Sequence, residues 1–123
     1  MSASPRVVVV TGAASGIGHA TAKRLHADGR AIVGLDRDGE GLAALGEELG
    51  GGFAGVVGDV SERSAHERAA ERASAQGRLD GWVNSAGTWA KTRAHDFEEA
   101  DVDRVLAVNL KGSILGCSVA CAR

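Results

Sequence analysis

Short apolar runs alternate along the chain with longer stretches in which apolar residues recur at helical spacing. In the first run, Arg6 is followed by four valines, which is typical of a strand buried on both faces of a sheet. Similar runs predict strands at residues 31–35, 53–57 and 79–84. The spacing between them predicts helices near 17–28, 42–49 and 62–76, with Ser61 capping the third, and a last helix after a loop that ends near residue 96.

This order of elements, β-α-β-α-β-α-β-α, predicts an α/β fold. Strands that alternate with helices at this spacing are joined by right-handed crossovers, which produces a parallel sheet with helices on both faces. We expect a Rossmann-type doubly wound sheet, truncated to about four strands in the order 3-2-1-4. No linker, repeat or block of charge divides residues 1–123, so we expect one partial domain.

The fourth strand and the last helix both favour association with another chain. Strand 4 would form an open edge of the sheet, and unpaired edges tend to pair with other strands. The last helix carries apolar residues on or near one face, at Val102, Val105, Leu106, Leu110, Ile114 and Cys117. We therefore expect a homo-oligomer or a complex with a complementing fragment.

The turn between strand 1 and helix 1 is rich in glycine and reads T-G-A-A-S-G-I-G. Nucleotide phosphates bind at such turns, because the first helical N–H groups lack intrahelical acceptors and carry partial positive charge. Glycine keeps the approach open or permits a positive φ. The alternative is a tight turn that binds no ligand. The candidate phosphate-binding residues are Thr11, Gly12, Ser15, Gly16, Ile17 and Gly18.

An acidic residue closes the second strand. Asp36 follows Gly18 by 18 residues, and an acid at about this distance is placed to accept hydrogen bonds from an adenosine ribose. Its charge would repel the additional phosphate of NADP, so we expect NAD as the cofactor, with NADP less favoured. Arg37 opposes this preference, because an arginine here could pair with that phosphate. The alternative for Asp36 is a solvated turn residue or a helix cap.

Composition excludes several classes of protein. The net charge is −2, whereas a nucleic-acid-binding protein normally has a basic face. The longest apolar run, Val7 to Val10, is too short to span a bilayer, and the first five residues do not resemble a signal peptide, so we expect a cytoplasmic protein without membrane contact. The histidines and cysteines lack metal-ligand spacing, and we expect Cys117 and Cys121 to fill buried apolar positions.

Four motifs in succession resemble the N-terminal half of the short-chain dehydrogenase/reductase family. Thr11-Gly12-x-x-x-Gly16-Ile17-Gly18 is similar to the family's cofactor motif. Asp59-Val60 after strand 3 is similar to its Asp-Val pair, and Asn84-Ser85-Ala86-Gly87 resembles its Asn-Asn-Ala-Gly motif. Asn109 resembles the asparagine of its Asn-Ser-Tyr-Lys tetrad. The resemblance implies an NAD(P)-dependent oxidoreductase that acts on small alcohols or carbonyl compounds.

The resemblance also implies roles for these residues. Asp59 and Val60 would border the adenine, Ala86 and Gly87 would leave room for the cofactor, and Asn84 would brace the sheet by bonding to backbone. Asn109, the only candidate catalytic residue, would divert backbone bonds and kink its helix. The alternatives are a role beside the helix cap for Asp59 and an ordinary, partly exposed amide for Asn109.

The rest of the family's tetrad has no counterpart here. The chain contains no tyrosine, and its only lysines are Lys23, Lys91 and Lys111. The family's proton transfer needs a donor of tuned pKa, which its tyrosine and lysine supply together. Two hypotheses follow. The chain is the cofactor-binding half of an oxidoreductase, inactive alone, or it is a non-catalytic dinucleotide-binding module or inactive remnant.

Overall fold

The sheet contains four parallel strands. The computed structural model describes residues 4–123, so most of the segment used to judge a signal peptide, residues 1–3, lies outside the described residues. The strands are β1 (Arg6–Thr11), β2 (Ala31–Asp36), β3 (Phe53–Val57) and β4 (Arg78–Asn84). They pair in the order β3-β2-β1-β4. This arrangement confirms the predicted doubly wound topology.

Helices cover both faces of this sheet. They are α1 (Gly16–Ala27), α2 (Gly39–Leu49), α3 (Arg63–Gln76), α4 (Glu99–Val105) and α5 (Gly112–Cys121). A 3₁₀ turn at Ala94–Asp96 precedes α4, and a π-helical segment, Leu106–Lys111, joins α4 to α5. Helices α1 and α2 lie on one face, and α3, α5 and the π-helical segment lie on the other.

The valines of β1 serve two separate cores. Side chains alternate along a strand, so Val7 and Val9 pack towards α3, while Val8 and Val10 pack towards α1 and α2. All four are buried. The uninterrupted apolar run in the sequence therefore reflects a central strand that is covered on both sides, as the pattern predicted.

Helix α3 approaches the sheet closely because its inner face consists largely of alanine. Ala65, Ala69 and Ala73 are fully buried, and the small side chains leave space for one large residue on the same helix, His66. The His66 ring stacks on Trp82 of β4 with centroids 6.0 Å apart, and its Nε2 lies 2.8 Å from the carbonyl oxygen of Val60. Trp82 itself is half-buried.

We expect His66 to make the fold less stable in mild acid. Burial lowers the pKa of His66 below its ordinary value of 6.5, despite the opposing effect of the Val60 carbonyl. The folded protein therefore binds the proton less readily than the unfolded chain, and the free energy of unfolding falls as the pH drops below about 6.5. Urea unfolding between pH 4.5 and 8 should show a smaller fall for His66→Gln than for the parent protein. The exposed His95→Gln control should retain the parent's slope, and equal slopes in all three proteins would contradict this account.

The last helical region presents most of its apolar face to solvent. Val102, Leu106, Leu110 and Ile114 are all exposed, whereas Val108, Gly112, Gly116 and Val119 are buried. A Cβ at Gly112 would lie 2.8 Å from the Val60 side chain, so the helix uses its small residues to approach its neighbours. The large apolar side chains consequently point outward.

Both cysteines are exposed, which makes the prediction of buried apolar positions for them wrong. Gly112, Gly116 and Val119 occupy the buried side of α5, and the exposed Cys117 next to them accepts a hydrogen bond on its Sγ from Asn84 Nδ2 at the end of β4. Among residues 4–123, no group of three or more His, Cys, Asp or Glu side chains is placed to hold a metal ion.

The helical stretch Glu99–Cys121 is, by length and composition, long and apolar enough to cross a membrane. Polar residues interrupt its apolar ones, so no uninterrupted apolar run marks this stretch in the sequence. In this fold α5 packs against β4 and α3. A core helix of a soluble protein can be as long and as apolar as a helix that crosses a membrane. Length and composition alone therefore do not identify a membrane span.

Candidate functional site

A cleft of about 560 Å³ opens at the carboxyl ends of the strands, where the order of the sheet reverses between β1 and β4. Ten of the predicted cofactor-binding residues line it: Gly12, Ser15, Gly16, Ile17, Asp36, Arg37, Asp59, Val60, Ala86 and Gly87. Thr11, Gly18 and Asn84 do not. The structure therefore brings together residues from the ends of all four strands.

Two glycines of the turn have left-handed backbone conformations for different reasons. Gly12 has φ +69°, and a Cβ there would lie 2.7 Å from the Ala86 Cα, so this position needs glycine for packing. Gly16 has φ +59°, and a Cβ there would meet nothing within 4 Å. The Gly16 position thus leaves open space in the cleft at the start of α1.

Thr11 and Gly18 hold the turn instead of lining the cleft. The Thr11 hydroxyl oxygen accepts hydrogen bonds from the Ser85 and Ala86 amides, at 3.1 Å each, and the Ser85 hydroxyl donates to the Thr11 carbonyl. A Cβ at Gly18 would overlap the Gly12 carbonyl. These contacts fix the glycine turn against the end of β4.

Asn84 does not brace the sheet through backbone bonds, so that prediction is wrong. Its Oδ1 accepts from Trp82 Nε1 at 3.2 Å, and its Nδ2 donates to Cys117 Sγ at 3.5 Å. The side chain projects from β4 towards α5, where Gly116 leaves room for it. Ser85, the next residue, makes the bracing contacts to β1 instead.

Asp36 connects the end of β2 to the glycine turn. One carboxylate oxygen accepts from the Ala14 amide at 3.0 Å, and the other accepts from the Asp38 amide at the same distance. The cap of α2 is Asp38, whose side chain accepts from the Gly41 amide at 2.9 Å. Asp36 is thus bonded as a turn residue, and it also faces the cleft.

Asp59, at the far side of the cleft, is strongly hydrogen-bonded. Its Oδ1 accepts from the Ser61 amide at 2.9 Å and from the Ser61 hydroxyl at 2.8 Å, and its Oδ2 accepts from Arg104 Nη1 at 3.0 Å. Partial burial raises the pKa of Asp59, but these bonds outweigh burial and lower the pKa to about 2. Asp59 therefore carries its negative charge at neutral pH.

The sequence predicted Ser61 as the cap of α3, and this prediction is wrong. The residue at the cap position is Glu62, whose side chain makes no capping bond. Ser61 fits the sequence pattern of a cap, but α3 begins only at Arg63, and the Ser61 hydroxyl donates a hydrogen bond to the Asp59 carboxylate.

Asn109 ties the last helical region to the loop after β4. Its Oδ1 accepts from the Thr88 amide at 2.7 Å, and its Nδ2 donates to the Thr88 carbonyl at 2.9 Å. Asn109 lies within the π-helical segment Leu106–Lys111, where the backbone departs from a regular α-helix. The side chain bonds to the neighbouring loop and not to its own helix.

Seven further residues line the cleft that were not among the predicted cofactor-binding residues: Leu35, Gly58, Ser85, Thr88, Trp89, Arg104 and Val108. Arg104 matters most, because it brings a positive charge from α4, about 45 residues along the chain, to Asp59. No local motif marks it. Trp89 is 70% exposed at the mouth of the cleft, with Lys91 Nζ 5.3 Å from its ring.

Comparison with known proteins identifies related sequences. The family model described as short chain dehydrogenase matches residues 6–123. D-threitol dehydrogenase from Mycolicibacterium smegmatis is 40% identical over an alignment of 116 residues that covers 91% of this chain and 45% of the relative. Cis-2,3-dihydrobiphenyl-2,3-diol dehydrogenase from Paraburkholderia xenovorans is 34% identical over 93% of this chain and 43% of its own length. The chain thus spans a little under half the length of these relatives.

Solved structures show the same arrangement. A short-chain dehydrogenase/reductase of the glucose/ribitol dehydrogenase type from Brucella melitensis matches 98% of this chain and 50% of its own, with a TM-score of 0.90 and 32% identity. A 3-ketoacyl-(acyl-carrier-protein) reductase from the same organism, complexed with NADH, matches 95% of this chain and 49% of its own, with a TM-score of 0.87 and 34% identity. The sequence match over residues 6–123, together with the shared fold, shows that the chain belongs to the short-chain dehydrogenase family.

Proposed function

We propose that this chain is the cofactor-binding half of an NAD-dependent oxidoreductase that acts on a small alcohol or carbonyl compound. The observation that carries the proposal is the placement of the open Gly16 position and the Asp36 carboxylate in one cleft. A diphosphate needs the first feature, and an adenosine ribose needs the second. In this proposal, residues 1–123 form one partial dinucleotide-binding domain.

The geometry of the cleft fits a dinucleotide. Its volume lies within the usual range of ligand sites, and the open space at Gly16 lies where N–H groups at the start of α1 have no intrahelical acceptors. Gly12, Ser15, Gly16 and Ile17 would hold the diphosphate, and Asp36 would hold the ribose. Asp59 and Val60 would border the adenine, and Ala86 and Gly87 would lie along the path to the nicotinamide, which supplies the hydride chemistry.

The charges in the cleft support NAD over NADP. Asp36 lies where the extra phosphate of NADP would approach, and its carboxylate would repel that group. Arg37 is the cation that could offset this repulsion, but its Nε lies 4.0 Å from Asp59 Oδ2. The positive charge of Arg37 is therefore partly balanced by the Asp59 carboxylate and is less available to the phosphate of NADP.

A second candidate function is a dinucleotide-binding module without catalysis. The observation that favours it is compositional: the 123 residues contain no tyrosine, and the family's proton transfer requires one. If the protein is catalytic, that group comes from outside these 123 residues, and the exposed apolar face of the last helical region supports a complementing fragment as its source. We propose a cytoplasmic location on the family resemblance alone.

Titration of the 123-residue protein with NADH, followed by cofactor fluorescence, tests this function. We expect saturable binding at one site per chain, together with no measurable oxidation of NADH when a panel of aldehydes and ketones is added. Absence of binding by folded protein would refute the cofactor-binding role. Turnover well above that of an Asn109→Ala control would refute the claim that this polypeptide is inactive alone.

A further inference from the structure

The Asp59 carboxylate can accept one more hydrogen bond than the protein donates to it. Oδ1 accepts two hydrogen bonds from Ser61, while Oδ2 accepts one bond, from Arg104. A carboxylate oxygen accepts about two bonds. Arg37 Nε, at 4.0 Å, is too far from Oδ2 to complete the second. The second acceptor position on Oδ2 therefore has no donor among residues 4–123, and Asp59 lines the cleft.

Arg104 reaches this carboxylate from a helix that is otherwise loosely attached. Helix α4 contains no buried residue, and Arg104 is its only residue that lines the cleft. The Arg104 side chain is 38% exposed and that of Asp59 is 22% exposed, so their bond is partly shielded from water. A charged donor in such a position fixes the plane of the carboxylate more firmly than a neutral donor does.

We propose that Arg104 is a positioning residue for the adenine end of the cofactor. By holding Oδ2 from one side, it orients the remaining acceptor position of Asp59 towards an amino group in the cleft. The planar guanidinium lines the same cleft, where it can also lie against an aromatic ring. This inference rests on the proposed function, because it concerns the same cofactor.

The experiment compares NADH affinity in five proteins by calorimetry: the parent, Arg104→Met, Arg104→Lys, Asp59→Asn and the double variant of Asp59→Asn with Arg104→Met. Arg72→Met is the matched control, since Arg72 is an exposed arginine on α3 outside the cleft. Thermal unfolding of each variant reports whether the fold is intact. If Arg104→Met does not fold, Arg104→Gln replaces it in the same comparisons.

We expect Arg104→Met to bind NADH about tenfold more weakly than the parent, and Arg104→Lys to recover part of the loss. In the Asp59→Asn background, Arg104→Met should add little, because Arg104 acts through Asp59. A purely structural role would instead weaken binding equally in both backgrounds. Unchanged or tighter binding by folded Arg104→Met, or full additivity, would overturn the proposal. If the parent itself does not bind NADH, it is the proposed function that fails.

Discussion

Gly16→Ala should weaken NADH binding about 100-fold while the protein remains folded. The new methyl group would occupy the space at the start of α1 that the diphosphate needs, and each lost bond between a backbone amide and a charged phosphate corresponds to roughly 1.5–3 kcal/mol. Alanine at φ +59° also costs about 1–2 kcal/mol of stability. Calorimetry would measure the affinity, and urea unfolding would measure the stability.

Gly29→Ala is the matched control for this prediction. Gly29 follows α1, has φ +93° and, like Gly16, would place a Cβ in open space, but it does not line the cleft. Alanine there should cause a similar loss of stability without a loss of affinity for NADH. Equal affinity losses in the two variants would show that backbone strain, and not obstruction of the cleft, weakens binding.

Asp36→Ser should reverse the preference between the two cofactors. Loss of the charged acceptor for the ribose hydroxyls should weaken NADH binding about 10- to 100-fold, since bonds to an ionised acceptor contribute roughly 1.5–3 kcal/mol. NADPH binding should strengthen, because the repulsion disappears and Arg37 remains beside the site. Parallel titrations with NADH and NADPH would measure both changes.

The opposite directions of these two changes provide an internal control. Asp36 also accepts bonds from the Ala14 and Asp38 amides, so its replacement weakens the turn as well as the ribose site. Damage to the turn alone would weaken both cofactors together. A fall in affinity for both NADH and NADPH would therefore contradict the assignment of Asp36 as the residue that selects NAD.

The central strands and their order were predictable because both follow from patterns of neighbouring residues along the chain. A run of β-branched residues such as Val7 to Val10 specifies a strand covered on both faces, and regular alternation with helices specifies a parallel sheet. The glycine turn and Asp36 were identifiable for the same reason. Their spacing along the chain reflects contacts made within one βαβ unit.

Features that depend on distant residues were not predictable. Cys117 follows the buried Gly116 on α5, yet it is exposed, and its Sγ lies 3.5 Å from Asn84 Nδ2 of β4, 33 residues earlier in the chain. The contact between Asp59 and Arg104 joins two elements whose relative position only the folded chain defines.

An NMR titration of the labelled 123-residue protein with NADH is the most direct test of the proposed cofactor site. We expect the amide resonances of Gly12, Gly16, Ile17 and Asp36 to shift and saturate together at one equivalent of cofactor. The amides of Gly50 and Gly51, which lie outside the cleft, should remain unchanged. Saturable shifts confined to another surface, or no shifts in folded protein at millimolar NADH, would contradict the account.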